Sequence, residues 1–229
     1  MNAASPVSAN SVSANSLSAF HAPGFADPTR DAQRAFRAVL DAVAHPTRSF
    51  PLAGPAEPPA ALGRGLAAVA LTLLDEDCTV WLGGQLARDA EVTAWLAFHT
   101  GARRVNEAGA AGFVITAPRA LPPLESLALG TDEAPHLSAT VVLDIRGCGG
   151  FPDTGFPNTG QARFTAAGPG IDGTAALAAP WAPDSFADAW HRNTANFPRG
   201  VDLLLVDEDT VAALPRTTHL TAADQELGD

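Results

Sequence analysis

The stretch FPRGVDLLLV, residues 197–206, decides the fold of this 229-residue chain. Val201 to Val206 form a short apolar run, which predicts a strand buried on both faces. A proline–arginine pair, Pro198-Arg199, precedes the run, and a second pair, Pro215-Arg216, follows it within the sequence LPRTT of residues 214–218. The chain therefore places two arginines on turns at the ends of a predicted central strand.

These two arginines are candidates for binding an anion. Proline fixes the backbone before each arginine, and Gly200 permits a positive φ beside the first. The guanidinium group is a planar fork of five donors, which suits an anionic ligand or a partner's carboxylate. The alternative is pairing within the fold, with Asp202, Asp207 or another acid as the partner of Arg199 or Arg216.

Helical and strand patterns alternate along the rest of the chain, so the predicted class is α/β, with a mixed sheet flanked by helices. One helix is predicted after Asp27-Pro28 and before Pro46, and a buried one over Leu66–Leu74. Two further helices are predicted, one capped by Asp89 and ending at Gly101, the other opened by Pro183-Asp184-Ser185. The other predicted strands are Cys78–Leu82, Phe113–Thr116, Thr140–Ile145 and Arg163–Ala166.

The chain is predicted to form a single α/β domain over residues 23–220. Residues 1–22 are rich in Ser, Ala and Asn and repeat SANSV as SANSL, so we expect a disordered tail. Residues 221–229 are expected to form a flexible C-terminal tail. The Gly- and Pro-rich stretch 146–161 predicts a long loop.

Composition excludes several classes of function. The formal charge of −11 disfavours a nucleic-acid partner, and the apolar runs are too short for a membrane span. All 14 basic residues are arginine, so a lysine Schiff base with pyridoxal phosphate and a P-loop NTPase are both excluded. Two cysteines, Cys78 and Cys148, make no disulfide framework, and no secretory signal is recognised, which makes the cytoplasm the expected location.

No motif predicts a catalytic, metal or cofactor site. The six histidines are all far apart in sequence, and no GxSxG elbow occurs. Residues 168–173 match GxGxxG, but a structural turn explains them better than a nucleotide site, and Ser138 is interpreted as a serine at a strand start. His99 is expected near a helix C-terminus. Arg34 and Arg37 share one helix face, either as solvated side chains or as part of an interface.

Motifs along the chain resemble the H subunit family of the bacterial carbon–phosphorus lyase core complex. They recur in family order as GFADP (24–28), QRAFR (33–37), LTLLD (71–75), FHTGA (98–102), GT…P…SAT (130–140) and GPGI (168–171), followed by the two arginine stretches. The resemblance spans about residues 24 to 218. In that family the connection corresponding to residues 146–161 is usually shorter, which marks an insertion here.

The resemblance implies a fold like a reduced pyridoxal-phosphate transferase without the cofactor site. It also implies a homodimer that acts with the G, I and L subunits to form alpha-D-ribose 1-methylphosphonate 5-triphosphate from ATP and methylphosphonate, and that joins G, I and J in a core complex. No catalysis by the chain alone is expected. A free-standing transferase or hydrolase acting on a small phosphorylated substrate is the alternative, and a pure interaction module is a third. The ligand or interface candidates are Arg34, Arg37, His99, Arg199, Asp202 and Arg216.

Overall fold

A computed structural model describes residues 23–148 and 163–223 of the chain. Within these ranges the α-helices are α1 Pro28–Ala44, α2 Gly63–Leu73, α3 Ala90–Thr100 and α4 Phe186–Ala195. The strands are β1 Phe50–Pro51, β2 Thr79–Leu82, β3 Arg103–Arg104, β4 Phe113–Thr116, β5 Thr140–Asp144, β6 Phe164–Ala167, β7 Ala175–Leu177, β8 Asp202–Val206, β9 Thr210–Leu214 and β10 His219–Ala222. None of these helices is both long enough and apolar enough to cross a membrane.

Seven strands form one mixed sheet in the order β1-β9-β8-β5-β4-β2-β3. The strands from β8 to β3 are parallel, whereas β9 runs antiparallel to β8 and β1 antiparallel to β9. The predicted α/β class with a mixed sheet is thus confirmed. A second, antiparallel sheet of three strands in the order β10-β6-β7 was not predicted.

The central strand β8 is buried on both faces, as its apolar run predicts. Leu203 and Leu205 lie in one hydrophobic cluster together with Trp190 of α4. Leu204 and Val206 lie in the other cluster, which contains the buried side chains of α1, α2 and α3. Successive side chains of a strand point to opposite faces of the sheet. Because β8 has no polar face, residues that are neighbours in its sequence pack into different hydrophobic clusters.

The predicted helix caps are confirmed in two helices. Asp27 accepts a hydrogen bond from the backbone N–H of Arg30 at 3.1 Å, and α1 ends just before Pro46. Asp89 accepts from the N–H groups of the first turn of α3, and Gly101 ends this helix with a φ of 69°.

Several boundaries differ from the sequence predictions. Helix α2 begins three residues early, at Gly63, and residues 168–173 form the predicted turn, joining β6 to a short strand, β7. Strand β10 continues to Ala222, so the predicted domain boundary at residue 220 falls inside a strand. The predicted tail 1–22, most of the predicted insertion (149–161) and residues 224–229 lie outside the described residues.

Helix α2 is packed unusually closely because small residues cover most of its surface. Ala67, Ala68 and Ala70 are fully buried, between the sheet and the neighbouring helices. At its start, a Cβ placed on Gly65 would lie 1.9 Å from the carbonyl oxygen of Asp207, which a real Cβ cannot approach. The N-terminus of α2 therefore rests directly on the backbone of the turn between β8 and β9.

Candidate functional site at the edges of the sheet

Arg216 and Asp202 meet where the parallel strands begin, which we call the amino edge of the sheet. Asp202 opens β8, and Arg216 follows the end of its antiparallel neighbour β9. The backbone N–H of Arg216 donates to Oδ1 of Asp202 at 2.7 Å, and Nε donates to the same oxygen at 3.1 Å. Nη2 also donates to Oδ2 of this carboxylate. The pair is therefore held by both the backbone and the side chain of the arginine.

The remaining donors of Arg216 bind two other loops. Nη1 donates to the carbonyl oxygens of Pro135 at 3.2 Å and Pro198 at 3.3 Å, and Nη2 donates to Oγ of Ser138 at 2.6 Å. All five N–H groups of the guanidinium thus have partners, and only 14% of the side chain is exposed. This geometry favours pairing within the fold over ligand binding for Arg216 and Asp202. Ser138, two residues before β5, accepts from this arginine, in keeping with a serine at a strand start.

Arg199 has a very different environment. Its Nε lies 3.2 Å from Oδ1 of Asp132, and the two side chains are 44% and 71% exposed. No other side-chain hydrogen bond or ion pair joins Arg199 to the described residues. Two large apolar side chains in the same loops, Phe197 and Leu137, are also exposed. Of the two turn arginines, Arg199 is the one whose donors remain accessible to a ligand or a partner.

The loop that carries Arg199 is fixed from beneath by a buried asparagine. Oδ1 of Asn193 accepts from the N–H of Val201 at 2.8 Å, and Nδ2 donates to the carbonyl oxygen of Val201 at 2.9 Å. Gly200 has a φ of 121°, and its N–H donates to the carbonyl oxygen of Leu129. Asn193 lies on α4, and the sequence gives no signal for its role because its partner Val201 is set by the loop geometry.

His99 lies in the last turn of α3, which ends three residues before β3 begins. This histidine is therefore at the amino edge of the sheet, on a helix rather than on a loop. Its ring packs on Trp95 at a centroid distance of 4.5 Å and meets Phe98 edge-on at 5.0 Å. A Cβ on Gly24 would lie 3.3 Å from Nδ1 of this histidine. Three of the motifs used for the resemblance, at Gly24, Leu71 and His99, therefore meet here. The side-chain partners of Arg199 and Arg216 are other residues, Asp132 for the first and Asp202, Pro135, Pro198 and Ser138 for the second.

Arg34 and Arg37 lie on the outer side of α1. Nη1 of Arg34 donates to Oδ1 of Asp31 at 3.1 Å, whereas Arg37 forms no ion pair with the described residues. With Arg30 they line an open groove of about 400 Å³ beside strand β1. These arginines form no ion pair with Asp202 and pair with none of the partners of Arg199 or Arg216, so the predicted candidates do not all converge on one site.

The opposite edge of the sheet, where the parallel strands end, holds a charge cluster that was not predicted. Nε and Nη2 of Arg146 donate to the two carboxylate oxygens of Asp144, both at 2.8 Å. Nη2 also donates to the carbonyl oxygen of Ala61 at 2.7 Å, and Nη1 lies 3.5 Å from Oε2 of Glu208. Hydrogen bonding to Asp144 raises the pKa of Arg146 above its ordinary value.

This cluster fills the place where open α/β sheets usually bind a ligand, at the carboxyl ends of the strands. Glu208 accepts from the N–H of Arg64 at 3.2 Å, so a carboxylate of the chain occupies the N-terminus of α2. A Cβ on Gly63 would lie 1.8 Å from Nη1 of Arg146. The Gly63-Arg64-Gly65 pattern could have indicated this close approach, but the partners of Arg146 are too distant in sequence to predict.

The described residues offer few groups for covalent chemistry. No group of three or more His, Cys, Asp or Glu side chains among them could hold a metal ion. Burial raises the pKa of both thiols, Cys78 and Cys148, so both stay protonated at neutral pH. What the described arrangement can do is bind anionic groups through its exposed arginines.

Comparison with known proteins places the chain in a family. The family model of the bacterial phosphonate metabolism protein (PhnH) matches residues 23–221. The alpha-D-ribose 1-methylphosphonate 5-triphosphate synthase subunit PhnH of Rhizobium meliloti (strain 1021) is 40% identical over 197 residues, covering 86% of this chain and 93% of the relative. HtxG of Stutzerimonas stutzeri, whose name assigns it provisionally as a C-P lyase subunit, is 33% identical over 82% of this chain and 85% of its own length. The chain therefore belongs to the family of bacterial phosphonate metabolism proteins (PhnH).

Proposed function

We propose that this chain is a subunit of the assembly that forms alpha-D-ribose 1-methylphosphonate 5-triphosphate from ATP and methylphosphonate. The proposal is supported by 40% identity to a relative that bears the name of such a subunit, over 93% of its length. The chain works in the cytoplasm with the G, I and L subunits and joins G, I and J in a core complex. Its fold is a reduced pyridoxal-phosphate transferase fold that has no cofactor site.

The role of this subunit is to organise the assembly rather than to carry the chemistry alone. The observation that supports this role is that, among the described residues, both charge clusters form their hydrogen bonds and ion pairs within the fold. Arg216 uses all its donors within the fold, and Arg146 fills the crevice at the start of α2. Arg199 remains as the exposed donor that contacts a phosphonate, a triphosphate or a carboxylate of a partner subunit.

Reconstitution tests this function. The purified chain, incubated with ATP and methylphosphonate, should form no ribose 1-methylphosphonate triphosphate, and adding the G, I and L subunits should start its formation. Phosphorus NMR and mass spectrometry of the products measure this directly. A mixture of G, I and L without the chain is the control and should be inactive. Turnover by the isolated chain would instead indicate a free-standing transferase or hydrolase, and equal turnover without the chain would contradict the proposal.

The proposed assembly includes a homodimer of this chain, and helix α1 offers a surface that suits it. Phe36, Leu40 and Val43 recur at helical spacing on α1, and all three are exposed. Exposed apolar side chains in one stripe mark a contact surface. Arg37, adjacent to Phe36 in sequence, carries no ion pair within the described residues and can bind a carboxylate across the dimer.

Replacing Phe36 by aspartate should convert the dimer to a monomer, because the contact would then bury an unpaired charge. Light scattering over micromolar concentrations measures the mass of the particle. Phe197→Asp is a matched control, since Phe197 is also an exposed phenylalanine but lies on the loop of Arg199. Dissociation by Phe197→Asp and not by Phe36→Asp would show that the dimer contact lies at the amino edge.

A further inference from the structure

Helix α3 carries apolar residues on its outer side as well as on the side that faces the core. Val92, Trp95 and Leu96 are buried against the sheet and α2. The outer side carries small and aromatic apolar residues that line an open groove of about 690 Å³, namely Ala90, Ala94, Ala97 and Phe98. Phe98 is 64% exposed. An exposed aromatic side chain beside small apolar residues marks a candidate contact surface.

Arginines line the rim of this groove. Nη2 of Arg104 donates to the carbonyl oxygen of Ala87 at 2.9 Å, and Nη1 donates to Oγ1 of Thr93 at 3.2 Å, which holds the guanidinium in place. Neither bond neutralises its charge. Arg88 also lines the groove and forms no ion pair with the described residues. Asp89, which also lines the groove, accepts the hydrogen bonds that cap α3, and Glu91 is exposed on the first turn of this helix. In a chain of formal charge −11, the lining of this groove thus carries two arginines and one aspartate around an apolar floor.

We propose that this groove docks an acidic, apolar segment of another subunit of the phosphonate assembly. The proposal rests on the proposed function, because it names the surface through which the chain meets a different protein. The apolar floor supplies the area that a partner's hydrophobic side chains bury, and the arginines pair with its carboxylates. Phe98 is the central anchor, since exposed aromatic side chains carry a large share of the binding free energy at such contacts.

Two other occupants could come from the chain itself, namely its N-terminal segment and a second copy, and the charges of the groove argue against both. Residues 1–22 contain no aspartate or glutamate, so the N-terminal segment could cover the apolar floor but could not pair with the rim. A second copy bound by two-fold symmetry would use the same surface on both sides. The arginines of one groove would then face the arginines of the other, and the lining of each groove supplies a single carboxylate, Asp89, against two arginines.

The test measures binding of the purified chain to a complex of the G and I subunits by isothermal titration calorimetry, at low and at high salt. Arg88→Glu should weaken binding about tenfold or more, because a like charge would then face the acidic segment. Phe98→Ser should also weaken it about tenfold or more by removing the anchor. Arg192→Glu is the matched control, since Arg192 is exposed on α4 across the sheet and should bind like the unmodified chain.

Each outcome has one meaning. If the unmodified chain binds neither G nor I, the proposed function fails together with this surface. If it binds and supports product formation but both groove variants bind normally, the docking surface is wrong and the function stands. Loss of binding in Phe98→Ser alone would overturn the acidic character of the occupant. A change of the chain's own dimer mass in the groove variants, by light scattering, would show that a second copy occupies the groove.

Discussion

Replacing Arg216 by alanine should lower the free energy of unfolding by about 2–4 kcal/mol, because it leaves a partly buried carboxylate and several hydrogen-bond acceptors without a donor. Asp202 would lose its cation, and the loops of Pro135 and Pro198 would lose the side chain that joins them. Urea denaturation followed by circular dichroism gives this free energy. Arg216→Lys should recover little of it, since a single ammonium group cannot bind all three loops at once.

Arg199→Ala is the matched control for this experiment. Arg199 also follows a proline and also pairs with an aspartate, but both side chains of that pair are largely exposed. Its loss should change the free energy of unfolding by only about 0–1 kcal/mol while reducing product formation in the reconstituted assembly. Equal stability of Arg216→Ala and the unmodified chain would show that the guanidinium serves a ligand or partner rather than the fold.

A second large effect is expected at Gly65. Replacing it by alanine should lower the free energy of unfolding by about 1–3 kcal/mol, because the added Cβ overpacks the contact between α2 and the turn after β8. The atom it meets, the carbonyl oxygen of Asp207 at 1.9 Å, belongs to the backbone and cannot rotate away. Helix propensity acts in the opposite direction, since alanine favours a helix over glycine by about 1 kcal/mol.

Gly112→Ala is the control for Gly65→Ala, since its Cβ would meet Thr79 only at an ordinary distance of 3.6 Å. We expect this variant to unfold at nearly the same urea concentration as the unmodified chain. A Gly65→Ala variant that is as stable as the unmodified chain would mean that α2 can move away from the β8–β9 turn without loss of packing.

The parts of the fold that were predictable are those with strong local signals. The apolar run of β8 and the caps at Asp27 and Asp89 each have a physical cause within a few residues. The small sheet was missed because β7 and β10 are short and only partly buried, and the alternation of β10 extends over only four residues. Their pairing with β6 depends on contacts that local sequence does not reveal.

The candidate site was predictable only as a set of alternatives. The sequence placed Arg199 and Arg216 in equivalent turns, and it could not decide which of the two guanidinium groups forms all its hydrogen bonds within the fold. That choice depends on Pro135 and Ser138, about 80 residues from Arg216 along the chain. The charge cluster of Arg146 could not be predicted for the same reason, since Ala61 precedes Arg146 by 85 residues and Glu208 follows it by 62.

The pairing of β1 with β9 also constrains how the chain is made on the ribosome. Phe50 pairs with Val211, about 160 residues later, and α1 packs on this late strand. At about 5–20 residues per second, α1 leaves the ribosome roughly 10–30 s before β9 does. During that interval the buried side of α1, including Val39, lacks strand β9, on which it packs in the folded chain. The nascent chain is therefore expected to depend on chaperones until its last third has been synthesised.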